Sequence, residues 1–324
     1  MNRRQAVLAM LAVGAAPLVA FAQALGYPSK PIRFIVPYPP GGGTDIMARA
    51  IGQKLGEAWG KSVIVENKPG ANGAIGSEYV ARQPADGYTI LISIASSHAI
   101  AQHLYPKLPY DPFKDFVPVT QIAMAPIVML VNAAVPVRSV KEFIDYAKSK
   151  NGLNYGTFGN GSAPHIYGEL LNLIAGLNLV PVPYKGEGPA LQDLVGGQIP
   201  AAFLSISVAK AQILAGKVRP LAVTGPKRVQ ALPDVPTFLE SGYPGLEVVG
   251  WYAVFAPTGT PRPIVDKLAA RIAAIVHSPD IVARLLDLGT VPAGNTPEEF
   301  AVNWRSDSER FGEIIRRANI KLDP

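Results

Sequence analysis

The chain contains no cysteine, which removes disulfides, thiolate metal sites and cysteine nucleophiles together. Histidine is scarce. Only His98, His103, His165 and His277 are present, none at the i, i+4 spacing of H-E-x-x-H, so a zinc hydrolase is disfavoured. Charged residues make up 17% against ~25% in an average soluble domain, which argues against a disordered or coiled-coil chain. Basic runs are missing as well. The formal charge of +6 is spread over single residues and pairs such as Lys227-Arg228 and Arg316-Arg317, with no aromatics interleaved. No nucleic-acid partner is expected, and the charge reads as a mildly cationic surface whose pull on anionic solutes salt would mostly screen.

No apolar run reaches the ~20 residues of a spanning helix. The run over residues 6–16 follows Arg3 and Arg4, stops at Pro17 and leads to Ala20-Phe21-Ala22, an A-x-A cleavage pattern. This is the layout of a secretory signal peptide over residues 1–22, not of a membrane anchor. Gln5-Ala6-Val7 after the arginines is a loose twin-arginine match, so the general and twin-arginine routes both stay open. The expected product is soluble and exported.

What the chain does have is length for one large or two medium domains, with 324 residues of which 48% are hydrophobic. Its 31 glycines and 31 prolines show no G-X-Y period and point to many turns. Strand patterns at 32–36, 63–65 and 89–94 alternate with helical ones at 46–55 and 74–81, which predicts βαβ units and a parallel sheet covered on both faces. The pattern restarts with strands at 128–131, 154–157, 179–182, 201–204 and 220–223. Helices open at the capping box Ser139-Val140-Lys141-Glu142 and near Pro164. After a strand at 248–255 the tail reads as helix, with Thr296-Pro297-Glu298-Glu299 as a second capping box. Helices without strands of their own must pack back on the first sheet. The expected division is therefore lobe 1 over 23–124 plus 250–324 and lobe 2 over 125–249, joined by two crossings that act as a hinge.

Two strand-to-helix turns carry candidate chemistry. Pro37-Tyr38-Pro39-Pro40-Gly41-Gly42-Gly43-Thr44-Asp45 offers positive φ and close backbone approach, beside a helix start whose N–H groups form an anion site. Thr44 or Asp45 can cap that helix. The loop lacks the lysine of a P-loop, and Gly60-Lys61-Ser62 precedes a strand, so nucleotides are disfavoured. The second turn, residues 154–164, has Thr157, Gly161 and Ser162 before another helix. A helix end contributes ~0.3–1 kcal/mol to an anion, up to ~2 when partly buried, whereas micromolar binding needs ~8 kcal/mol. Loop N–H groups and hydroxyls must therefore supply most of the rest.

Y-P-P-G-G-G-T-D, N-G-x-x-G (72–76), L-P-Y-D-P-x-K-D-F (108–116), Y-G-T-x-G-N-G-S-x-P-H, P-Y-K-G (183–186) and F-A-P-x-G-T-P (255–261) occur in this order across nearly all of the exported chain. Together they closely resemble the Bug-type periplasmic receptors of tripartite tricarboxylate transporters. The resemblance implies an α/β fold of the type II periplasmic binding protein kind, two α/β lobes around a ligand cleft with a hinge. It implies no catalysis, no cofactor, a periplasmic location and a small carboxylate held between the Gly-rich loops, partly through water. Two integral-membrane transporter subunits would be the partners, and a monomer is expected. Carried over by motif, Gly42, Gly43 and Thr44 form one arm, Thr157, Gly161 and Ser162 the other, and Ser96 and Ser97 line the cleft.

Many members of the family have an acid in the strand after the G-G-Q turn, used for an ammonium group in amino-acid binders. Here Pro200 and Leu204 stand in the acidic positions. Leu204 thus points away from amino acids and toward an aromatic monocarboxylate or a dicarboxylate. Tyr38 offers a flat wall for such a body, while Phe158 and Tyr184 either extend that wall or belong to the core. Two alternatives remain open. Ser162 and His165 at i, i+3 beside a helix start could serve a periplasmic serine hydrolase, although G-x-S-x-G is absent and nothing marks an acid to orient His165. A receptor that feeds a signalling membrane protein fits the same sequence.

Overall fold

The computed structural model describes residues 26–150 and 152–322; the expected signal peptide lies outside them. Two sheets organise the described chain. The first has strands β1 (Ile32–Val36), β2 (Val63–Asn67), β3 (Thr89–Ile94), β4 (Phe116–Ala125), β10 (Gly250–Pro257) and β11 (Val291–Pro292), in the order β11-β4-β10-β3-β1-β2. The second has β5 (Ile127–Asn132), β6 (Leu153–Thr157), β7 (Leu179–Pro183), β8 (Ala201–Ser205) and β9 (Val218–Val223), ordered β7-β6-β8-β5-β9. Each sheet anchors one lobe of a two-lobed α/β fold.

Helices fill the connections: α1 (Gly43–Trp59), α2 (Ala74–Ala81), α3 (Val140–Lys148), α4 (Ala163–Ala175), α5 (Glu187–Val195), α6 (Ile206–Leu214), α7 (Arg262–Val276), α8 (Pro279–Asp287) and α9 (Pro297–Arg317). Their ends follow local chemistry. Ser139 Oγ accepts from Glu142 N–H at the start of α3, and Thr296 and Glu299 form a reciprocal capping box on α9. Gly60 and Gly176 stop α1 and α4 in the left-handed region, at φ 62° each.

The sheets are mixed, which corrects the expectation of a purely parallel first sheet. β1 runs parallel to β2 and β3, but β10 is antiparallel to both β3 and β4. β5 likewise runs antiparallel to β8 and β9. Returning strands cause this. β10 re-enters the first sheet after the whole second lobe, and no local pattern announces its direction. β4 was not foreseen as a strand because Pro118 interrupts it; that proline lies where the β4/β10 register shifts. β4 passes into β5 through Pro126 alone, while 224–249 make the return crossing. In the tail, α7 packs on β4 and α1, and α9 packs on β4 and on the π-helical turn Ser96–Ile100 that follows β3. This places Phe300 and Trp304 against Phe255 and the buried ring of His98.

Candidate ligand-binding site

Parallel strands aim their carboxyl ends the same way, and at such an end the following turn is free to meet a ligand. The turns after β1, β3, β6 and β8 converge between the lobes. They enclose a cavity of about 90 Å³, small beside the ~300–1,000 Å³ of drug-sized pockets. Its walls include Tyr38, Gly42, Gly43, Thr44 and Ser96 from the first lobe and Phe158, Ala163, Glu187 and Ser205 from the second. Trp251 and Tyr252 enter from the beginning of β10.

In the first turn only Gly41 takes positive φ, 80°. Gly42 is extended, and Gly43 is the first residue of α1. Gly43 is required by space. A Cβ there would lie 2.1 Å from the Tyr252 hydroxyl, whereas one on Gly42 would meet only ordinary contacts at 3.6 Å. The helix is not capped by Thr44. Asp45 accepts from Gly41 N–H at 3.0 Å, Arg49 Nε at 3.0 Å and Asn67 Nδ2 at 3.0 Å. Burial alone would push its pKa up, but these donors outweigh burial and hold it below the usual carboxylate range.

The N–H of Gly43, placed at the helix start for an anion, is taken by the protein itself. Glu187 Oε2 accepts it at 2.9 Å, and Glu187 Oε1 accepts Ser205 N–H at 2.8 Å. Glu187 opens α5 and is buried. The second arm has a matching contact, because Ser96 Oγ accepts Ala163 N–H at 3.0 Å at the start of α4. Tyr105 O–H donates to Asn160 O at 2.8 Å across the same divide. Burial, with Glu187 adding to it, pushes the Tyr252 phenol well up, so it stays protonated.

Of the residues expected at the site, Tyr38, Gly42, Gly43, Thr44 and Ser96 line this cavity, and Ser97, Thr157, Gly161, Ser162, Tyr184 and Leu204 do not. Ser97 turns its hydroxyl to Ser93 Oγ at 2.7 Å and His98 Nδ1 at 3.1 Å. Thr157 and Ser162 tie the second turn together through Gly159, with Ser162 Oγ donating to its carbonyl at 2.7 Å. Gly161 N–H donates to His165 Nδ1 at 3.0 Å. Ser162 and His165 thus each bond a backbone group of the turn. Tyr184 O–H donates to Asp193 at 2.7 Å. Leu204 is fully buried in the core of the second lobe with Val128 and Leu194. Successive strand residues face opposite sides, so Leu204 does not border the cavity while its neighbour Ser205 does. An acid in the cleft is present after all, on α5. Glu187, Ser205, Trp251 and Tyr252 were not anticipated; the one sequence signal for Glu187 was its place directly after P-Y-K-G.

Comparison with known proteins agrees with this architecture. The Bordetella pertussis protein BugT is 34% identical over 324 residues, covering 99% of both chains. A Rhodopseudomonas palustris protein solved with adipate is 36% identical, with a TM-score of 0.89 over 91% of this chain and 99% of its own. MatC of Rhodopseudomonas palustris, solved with malate, is 34% identical, with a TM-score of 0.84 over 89% and 100%. The model of the tripartite tricarboxylate transporter family receptor matches residues 47–320. The chain belongs to that family of periplasmic solute-binding receptors.

Proposed function

We propose that this chain captures a small organic acid between its two lobes in the periplasm and delivers it, as a monomer, to the integral-membrane subunits of a tripartite tricarboxylate-type transporter. One observation carries the reading. The turns after β1, β3, β6 and β8 meet between the lobes around a small cavity bordered by Thr44, Ser96 and the start of α1, where hydroxyls beside a helix N-terminus suit a carboxylate. The adipate and malate in the two Rhodopseudomonas relatives support the same ligand class. Lobe 1, over 23–124 and 250–324, would swing against lobe 2, over 125–249, about the crossings at Pro126 and 224–249, as a binding protein that closes on its ligand. The roles of Ser162 and His165 within the turn favour binding over hydrolysis.

Mass spectrometry of the denatured, freshly purified protein should release a small acid at one equivalent, and calorimetric titration should return the same stoichiometry. Ligand at 100 times Kd adds ~2.7 kcal/mol of stability, a rise in Tm of a few degrees in a chain of this size. Absence of both heat and thermal shift across a broad panel of carboxylates would refute the assignment.

A further inference from the structure

The cavity contains a buried acid and no base. Glu187 is 8% exposed and borders the cavity, and among the described residues no Lys, Arg or His lines it. Each Glu187 oxygen accepts one backbone N–H, from Gly43 and from Ser205. A carboxylate has about four lone-pair sites, so acceptor capacity remains on a charge that no cation in the cavity wall offsets. Four other side chains of the wall, Tyr38, Phe158, Trp251 and Tyr252, are aromatic, beside the aliphatic Ile94 and Ile127, and ring faces attract cations. Hydroxyls complete it. Ser96 Oγ accepts from Ala163 N–H and keeps its own proton to donate, and Thr44 stands in the first turn of α1.

Resting on the reading of this chain as a small-acid receptor, we propose that Glu187 selects a zwitterion, a small acid that also carries a cationic nitrogen. The nitrogen takes the remaining face of the Glu187 carboxylate among the aromatic rings, and the ligand carboxylate takes the Thr44 and Ser96 hydroxyls at the helix start. A dianion in the same space would stand beside a buried negative group with no cation to offset either. Glu187 thus brings an acid to the cleft from α5, whereas Leu204 on β8 faces the core.

The test is calorimetric titration of the exported chain with glycine betaine, alanine, proline, glutamate, benzoate, adipate and malate, repeated on Glu187→Gln and Glu187→Ala. At least one zwitterion should bind the parent ten times more tightly than adipate or malate. Glu187→Gln should weaken that zwitterion tenfold or more while dianions hold or gain. The ranking in the parent decides the matter even where a variant does not fold. Adipate or malate binding the parent most tightly would overturn the proposal and leave the receptor reading standing, as would zwitterion binding unchanged in Glu187→Gln. Dianions tightening tenfold in Glu187→Ala, with no zwitterion bound by the parent, would instead make Glu187 a stand-in for the ligand carboxylate. If no acid of any charge binds any of the three proteins, the receptor reading falls and this inference with it.

Discussion

The Glu187 carboxylate of the second lobe lies 2.9 Å from the Gly43 N–H of the first, so a side chain from across the cleft meets the start of α1. Ser96 and Ala163 make the converse contact, with the oxygen on the first lobe and the N–H on the second. Each lobe therefore satisfies a helix terminus of the other. Because helix-start N–H groups lack partners within the helix, closing the cleft exchanges water at both sites for protein oxygens. Whatever binds in the cavity adds to these contacts between the lobes.

Gly43 and Gly42 should respond differently to alanine. At Gly43 the new Cβ would meet the Tyr252 hydroxyl at 2.1 Å, an overlap of the kind that costs about 1–3 kcal/mol and pushes the Tyr252 ring off its place in the cavity wall. At Gly42 the contacts are ordinary and φ is −77°. Thermal melts and acid titrations on both variants should show Gly43→Ala losing affinity and Gly42→Ala close to the parent. Equal behaviour would mean that Tyr252 is not held against the first turn.

Ser96→Ala removes the acceptor of a buried N–H. Leaving such a donor unpaired costs about 1–3 kcal/mol, and the bond exists only while the lobes touch. The cost should fall on the closed form, weakening ligand about 5- to 150-fold and enlarging the radius of gyration in solution scattering without ligand. If neither changes, the Ser96–Ala163 bond does not hold the cleft.

Ser162→Ala tests the second turn. Its hydroxyl bonds Gly159 O rather than the cavity, so the expected loss is about 0.5–1.5 kcal/mol of unfolding free energy with affinity nearly unchanged. A large loss of affinity at unaltered stability would place the hydroxyl on the ligand. Turnover of p-nitrophenyl esters that disappears in the variant would revive the hydrolase.

His98 should make the protein sensitive to mild acid. Its ring is fully buried, stacked 4.4 Å from Phe255, and burial pushes its pKa down to about 3. The unfolded chain takes up this proton near 6.5, so the stabilisation is complete above that pH and is lost as the pH falls toward 3. The slope is at most about 1.4 kcal/mol per pH unit. Urea titrations from pH 7 to 4 should show a shallower decline for His98→Phe than for the parent, and parallel curves would contradict the assignment.

Much of the frame was legible without coordinates. The strands at β1, β3 and β6, the start of α3 at Ser139 and of α9 at Thr296, and the glycine turns are written in short-range patterns. Alternation and capping act over two to four residues. Ordered motifs then pointed to the family, and the first turn with Tyr38, Gly42, Gly43 and Thr44 proved to border the cavity.

What the sequence by itself determined is therefore the alternation of strands and helices, the places where helices begin, and the family whose motifs it carries, because these depend on neighbours along the chain. Only the tertiary structure decided the direction of β10, the inward face of Leu204 and the charge of the cavity. Glu187 meets Gly43 across 144 residues and Ser205 across 18, and Tyr252 meets Ser205 across 47. No periodic pattern encodes such meetings. They exist because two sheets built from different stretches of the chain meet turn to turn, and a carboxylate that reads in sequence as the first residue of a surface helix becomes, where they meet, a buried acid on the cavity wall.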